Sequence, residues 1–261
     1  MRGFVRERRY ICRDYLEVEF FKVYEKNGHR GKRAKPTRET QARLNQRRAE
    51  REIVRLLHEN FEPDDIEIHL TYRDECLPQS DDEADKAIRN YIRRVKRAAE
   101  KKGITDVKYL YTSPGTPGKA RYHHHVTISA GLSREELEAL WQYGYANSRR
   151  LQFACNGIEG LGHYISRQFK EDGWDKPKGK RRWSCSKNLR RPVPKDRDGE
   201  ISQKKLEKMA EEGENNPAYF ATMFPGYDCN GVRIVHSDMT DGAYIYLQLY
   251  RASGGGERKR Q

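Results

Sequence analysis

The chain has 261 residues, with 52 Lys+Arg against 39 Asp+Glu and a net charge of +13 at neutral pH. Thirty-five per cent of the residues are hydrophobic, and 16 Tyr, 8 Phe and 3 Trp are enough to build a core, which excludes a wholly disordered chain. No apolar run reaches the roughly 18 residues of a membrane span, and the start MRGFVRERRYICRDY lacks the apolar stretch of a secretory signal. A cytosolic protein with no membrane partner is expected. Its excess of positive charge points to a polyanion, of which nucleic acid is the commonest. Cys12, Cys76, Cys155, Cys185 and Cys229 are widely separated and form no C-x-x-C pair. They imply neither a disulfide framework nor a zinc ribbon.

In chain order, YLEVEFFKVY (Tyr15 to Tyr24) is rich in aromatic and β-branched residues and predicts a strand. The stretch from Lys26 to Arg48 follows, with nine Lys/Arg and one Glu, including Arg30, Lys32 and Arg33. Thr37 should cap a helix with Leu44, Ala49, Ile53, Leu56 and Leu57 on one stripe, packed beside the next unit. IEIHLTY (Ile66 to Tyr72) alternates as a strand. Ser80 and Glu83 make a capping box opening a helix with Ala84, Ala87, Ile88, Tyr91, Ile92 and Val95 apolar, stopped by Gly103. VKYLYT (Val107 to Thr112) and RYHHHVTIS (Arg121 to Ser129) predict two strands around the turn SPGTPGK. A second capping box, Ser133 to Glu136, starts a short helix through Trp141, and RLQFAC (Arg150 to Cys155) reads as a fourth strand.

This order is βαββαβ. It predicts an α+β, ferredoxin-like antiparallel sheet with helices on one face, the first and third strands adjacent, and the other face open to a ligand. GIEGLGHYISRQFK should add a helix. A second basic stretch, Asp175 to Lys195, carries nine Lys/Arg and one Asp and contains Lys180, Arg181, Arg182 and Trp183. Both basic stretches are candidates for DNA contacts, with solvated surface as the alternative. Residues 196 to 216 are polar, helical at best around Leu206 to Ala210. VRIVHS and AYIYLQLY should form a hairpin across Thr240-Asp241-Gly242, packed on the core and beside the Tyr15 strand. The domain reading is a basic N-terminal strand and helix extension (1–60), a core (61–172), a basic segment with the C-terminal hairpin (173–252) and a tail (253–261).

Strand parity puts His123 and His125 on one face and His124 with Val126 and Ile128 on the other. Glu67, His69 and Thr71 then share the open face with the histidine pair. Two imidazoles one strand repeat apart make half of a metal site; an incidental polar strand surface is the alternative. Tyr164, with Arg167 one turn on, sits at the edge of a helical apolar stripe, where a tyrosine by itself reads as packing. SPGTPGKA is not a phosphate-binding loop, because Ser113 replaces its first Gly and Ala120 its Ser/Thr.

IEIHLTY, His123-His124-His125 and Tyr164-Ile-Ser-Arg167, in that order, resemble the HUH endonuclease superfamily. Within it they resemble the rolling-circle replication initiators of bacterial plasmids, phages and mobile elements, over about residues 60 to 170. RWSCSKNLRRP also looks like this family's basic segment. The resemblance implies Mg²⁺ or Mn²⁺ held by His123 and His125, with Tyr164 attacking a phosphate of single-stranded DNA at an origin or hairpin. A 5′-phosphotyrosyl link and a primer 3′-OH would result, with Thr71 and the basic stretches binding DNA and Arg167 favouring phenolate character. It also implies the cytoplasm of a bacterial host. The family's usual liganding position at the end of the preceding strand is Ser113 here, so His69 or Glu67 are the substitutes for a third ligand, with water or a DNA oxygen as the alternative. Arg167 stands for the family's Lys, and Gln168 leaves a single tyrosine, which implies a second protomer or another group to finish a replication cycle. The competing expectations are a non-catalytic single-stranded nucleic-acid-binding protein on the same fold, favoured by Ser113, and a transposase or relaxase with the same chemistry.

Overall fold

The computed structural model describes residues 3–24, 38–113, 121–152, 183–237 and 242–252, with backbone alone for 38–43. In chain order the strands are β1 (Gly3–Cys12), β2 (Tyr15–Tyr24), β3 (Ile66–Thr71), β4 (Lys108–Thr112), β5 (His123–Ser129), β6 (Ala146–Arg150), β7 (Trp183–Cys185), β8 (Lys195–Asp198), β9 (Tyr227–Ser237) and β10 (Gly242–Arg251). The helices are α1 (Arg38–Asn60), α2 (Asp81–Lys101), α3 (Arg134–Ala139), α4 (Gln203–Gly213) and α5 (Pro217–Ala221). The protein is α+β, with two antiparallel five-stranded sheets, ordered β8-β1-β2-β10-β9 and β6-β3-β5-β4-β7. Each sheet belongs to its own compact unit. The division falls between Leu44 and Asn45 in α1 and again between Arg190 and Arg191. No helix of the described residues is long and apolar enough to cross a membrane.

In the first unit β1 and β2 pair from Gly3↔Tyr24 to Cys12↔Tyr15, and β10 adds to the other edge of β2 with Leu247 opposite Val18. Alternation sends Leu16, Val18, Phe20, Ile245, Leu247 and Leu249 to one face. There they meet Leu206, Met209 and Ala210 of α4, with Phe220 of α5 and Phe224 just beyond it. The C-terminal hairpin forms as expected, but with the N-terminal strands it makes a separate sheet and a separate core. The division of the chain therefore joins its two ends, where the sequence reading set 1–60 and 173–252 apart. The helix in the polar segment is longer than its composition suggests because Ser202 Oγ accepts from Lys205 N and four buried residues lie along its inner side. Arg6 and Arg8 hold β8 through paired contacts to Asp198 and Asp196, at 2.7–2.8 Å.

The second unit has β3 and β5 as hydrogen-bonded neighbours inside the sheet, in the register Ile68↔Val126 and His69↔His125. Ser80 caps α2 by accepting from Glu83 N, and Ala84, Ala87, Ile88, Tyr91, Ile92, Val95 and Ala99 recur at helical spacing. This face packs on Ile66, Ile68, Leu70, Val126 and Ile128. The helix α3 opens with a complete capping box between Ser133 and Glu136 but ends at Ala139. Trp141 then lies in a loop, its Nε1 donating to Thr71 O at 2.7 Å.

The edge strand is Ala146–Arg150, upstream of the apolar RLQFAC segment expected to form it. An edge strand needs no apolar alternation when its inward positions are as small as Ala146 and Ser148; Ser148 is held by Glu138 and Arg134. Leu151 instead leaves the sheet and is buried with Ile53, Leu56, Leu57 and Phe61 around Leu110. By parity Leu110 belongs to the histidine face, so α1 covers the β4 side of the face that the sequence reading left open. Leu44, expected on the helix's apolar stripe, is exposed.

Candidate metal centre

Register places five side chains in one row across the second sheet: Trp183 (β7), Thr112 (β4), His125 (β5), His69 (β3) and Asn147 (β6). The neighbouring row sets Thr71 opposite His123. Facing residues of adjacent strands share a side of the sheet, so the three imidazoles of His69, His123 and His125 converge. Their ligand nitrogens all lie within 4.8 Å of one another. The His69 and His125 rings are stacked with centroids 4.6 Å apart, and His123 stands edge-on to both at 5.2 and 5.1 Å.

The protonation states suit a cation. Burial, reinforced by the neighbouring imidazoles, pushes His125 down to about 2. Burial followed by the charge of His123 also lowers His69. Both rings therefore stay neutral at physiological pH, the form that ligates. His123 Nδ1 is 3.1 Å from Arg121 O. A carbonyl only accepts, so Nδ1 is the donor, and in the neutral tautomer Nε2 is the nitrogen left to ligate. His69 Nε2 is buried and has no hydrogen-bond partner. Three converging imidazoles, with His69 Nε2 unpartnered, fit a divalent cation, and they suit Mn²⁺ better than Mg²⁺, which prefers oxygen ligands.

Of the two candidate third ligands, His69 joins the pair. Glu67 is engaged by Arg149, whose Nε donates to Oε2 at 2.7 Å, and it stands outside the three-imidazole group. Ser113, at the family's liganding place, faces the opposite side of the sheet, its Oγ 2.9 Å from His124 Nδ1. Thr112 is the residue opposite His125, and its buried Oγ1 has no hydrogen-bond partner. Its parity marks it in the sequence, although the family pattern drew the eye to Ser113. His124 is fully buried on the helix side, with Nε2 2.5 Å from Tyr72 Oη and its ring edge-on to Trp141.

Thr71 lies beside His123 and donates from Oγ1 to Tyr145 O at 3.2 Å. Trp183 is half-buried against the Leu56–Leu110 cluster. Tyr164, Arg167, Arg30, Lys32, Arg33, Lys180, Arg181 and Arg182 lie outside the described residues. The sequence reading missed Tyr145, just before β6, and Asn147 and Arg149 on the histidine face of β6, because the strand was placed too late; the alternation in YANSR was the signal available. Comparison of the chain with family models, with curated proteins and with solved structures found no match.

Proposed function

We propose that the protein is a metal-dependent, site-specific single-stranded DNA nicking and strand-transfer enzyme of the HUH type that initiates rolling-circle replication. The observation that carries the reading is the convergence of His69, His123 and His125 on adjacent strands. The order β6-β3-β5-β4, with α2 and α3 packed on the side away from these histidines, supports a ferredoxin-like core of that type. The non-catalytic alternative drew on Ser113 in place of a ligand. A third imidazole from His69 weakens it.

His69, His123 and His125 would hold a divalent cation, which when bound would supply Lewis-acid polarisation of the scissile phosphate. Of the chain's own groups, the Tyr164 hydroxyl attacks phosphorus as its proton departs, an O–P bond forms to the tyrosine, and the P–O3′ bond breaks to release a 3′-OH that takes up a proton. Arg167, three residues on in the sequence, would favour the phenolate over a phenol whose ordinary pKa is near 10. The link keeps the phosphodiester energy, so the reverse step rejoins strands without a nucleotide cofactor. Arg121 accepts the His123 Nδ1 proton through its carbonyl and thereby holds the ring's orientation.

Labelled circular single-stranded DNA incubated with the protein and Mn²⁺ should give a covalent adduct on a denaturing gel. Tyr164→Phe, which removes only the hydroxyl, should bind DNA normally and give none, and peptide mapping should place the DNA on the fragment containing His163-Tyr164-Ile165. An adduct on another tyrosine, or full activity in Tyr164→Phe, refutes the assignment.

A further inference from the structure

We propose that Tyr145, Asn147 and Arg149 form a ledge that binds the single-stranded DNA beside the three-imidazole site, with the Tyr145 ring stacking on a base. The inference deepens the nicking reading and rests on it for the substrate class. Three observations point to it: a row geometry, a gradient of exposure, and an aromatic ring whose exposure folding leaves unexplained.

The rows come from the pairing of β6 with β3. Asn147 is opposite His69 and Arg149 opposite Glu67. Tyr145 continues the same pairing against Thr71, with Thr71 N donating to Tyr145 O at 2.8 Å and Tyr145 N to Thr71 O at 3.1 Å. Parity therefore puts all three on the histidine face, next to Thr71, His69 and Glu67, while Ala146 and Ser148 turn toward the helices.

Across that face, burial falls from β4 to β6. Thr112 and Thr127 are buried, as is His125; His69, His123 and Thr71 are half-buried; Tyr145, Asn147 and Arg149 are exposed. The cause is α1, whose Ile53, Leu56 and Leu57 cover Leu110 on the β4 side. Among the described residues the histidines thus sit on the border between a covered half-sheet and an exposed one, and a strand of DNA reaches them across β6.

Tyr145 is 73% exposed. Its backbone is nonetheless fixed, by the paired hydrogen bonds to Thr71 and by Gly144, where a Cβ would lie 2.2 Å from Thr71 O. A ring carried on a fixed backbone and left in solvent offers a stacking platform whose ordering cost is confined to the side chain. Asn147 presents an amide that can donate to and accept from a base edge. Arg149 is anchored by Nε to Glu67, with 65% of its side chain exposed, and supplies the positive charge a phosphate needs. Glu67 is the one carboxylate among these three cross-strand pairs, and that ion pair offsets its charge. From Tyr145 to Arg149 the ledge runs about 13 Å at the usual strand rise.

The test is fluorescence anisotropy of a labelled single-stranded oligonucleotide with the full chain in EDTA, where no cleavage occurs. Tyr145→Ala should weaken binding roughly 5- to 100-fold while keeping the melting temperature, and Tyr145→Phe should bind like wild type. Arg149→Gln should lower the salt slope by about 0.7. In a scan of single abasic sites, the position that costs wild type most should cost Tyr145→Ala nothing further. Affinity within about twofold of wild type in Tyr145→Ala, an abasic penalty independent of the ring, tighter binding of RNA or duplex, or no binding by wild type each overturns the ledge. The nicking reading is judged separately. Tyr145-dependent binding without any covalent adduct would leave the ledge standing and remove the enzyme, and adduct formation with undiminished affinity in Tyr145→Ala would do the reverse.

Discussion

The His69 and His125 rings lie face to face, 4.6 Å between centroids and 7° from parallel, on adjacent strands of one sheet. Two protonated imidazoles could not share that arrangement without strong repulsion, so the stack is a statement about charge as much as packing. It holds both rings neutral and ready to ligate.

Acid should destabilise the metal-free chain through this stack. The folded-state value of His125, about 2, lies far below the ordinary 6.5, so between those limits the unfolded chain binds a proton that the folded chain refuses. The His125 contribution is fully present above pH 6.5 and is lost progressively as pH falls below it. Melting temperatures in EDTA at pH 5 and pH 7.5 should differ more for wild type than for His125→Gln. Parallel pH profiles would show that the ring is protonated in the folded chain.

Metal should stabilise the fold, with Mn²⁺ raising the melting temperature more than Mg²⁺ at equal concentration because all three protein ligands are nitrogens. His69→Ala should weaken Mn²⁺ binding, measured by titration calorimetry, by at least the 10- to 100-fold that losing even an outer-shell partner costs. Unchanged affinity in this variant, with loss in His123→Ala, would restore a two-histidine site.

His124 is expected to act through structure alone. His124→Leu leaves Tyr72 Oη and Ser113 Oγ without their buried partner, at about 1–3 kcal/mol for each unsatisfied group. Urea unfolding should show a lower midpoint with an unchanged slope. Adding Ser113→Ala should cost less than the sum of the two single changes, since one half of the lost contact is then absent already.

Gly144→Ala tests the seating of the loop before β6. The new Cβ would meet backbone atoms of Thr71, Tyr72 and Arg73 at 2.2 to 2.7 Å, none of which moves cheaply. A loss of about 1–3 kcal/mol is expected, read as a fall in melting temperature together with weaker single-strand binding. Normal stability would mean that the loop has room to shift.

Much of the second unit was legible because its signals are local. Alternation in IEIHLTY and in the triple-histidine strand fixed which side chains share a face, and the serine caps at Ser80 and Ser133 marked where α2 and α3 begin. The third ligand was narrowed to His69 or Glu67 by parity. Only a cross-strand contact, Arg149 to Glu67, separates the two, and that required knowing where β6 lies. The edge strand itself was hidden because a strand with one face on solvent and small inward residues carries no apolar pattern, whereas the apolar LQF beyond it does. The cover over the histidine face was equally out of reach. The stripe of α1 shows that the helix packs, without showing that Leu110 is what it packs on.

The pairing of β2 with β10 sets an order of assembly. Residues 15–24 pair at once with β1 but find their second neighbour only in β10, so during synthesis β2 emerges early and waits, one hydrogen-bonding edge unfilled, until more than two hundred later residues have left the ribosome. The second unit lies wholly between these two strands in the sequence and can condense in the meantime. A folded insert brings the tethered ends nearer than a loose chain of that length would, which lowers the closure entropy that β10 must overcome. Nascent chains arrested before β10 should therefore show protease-resistant β3 to β6 and a β1–β2 hairpin still open to digestion.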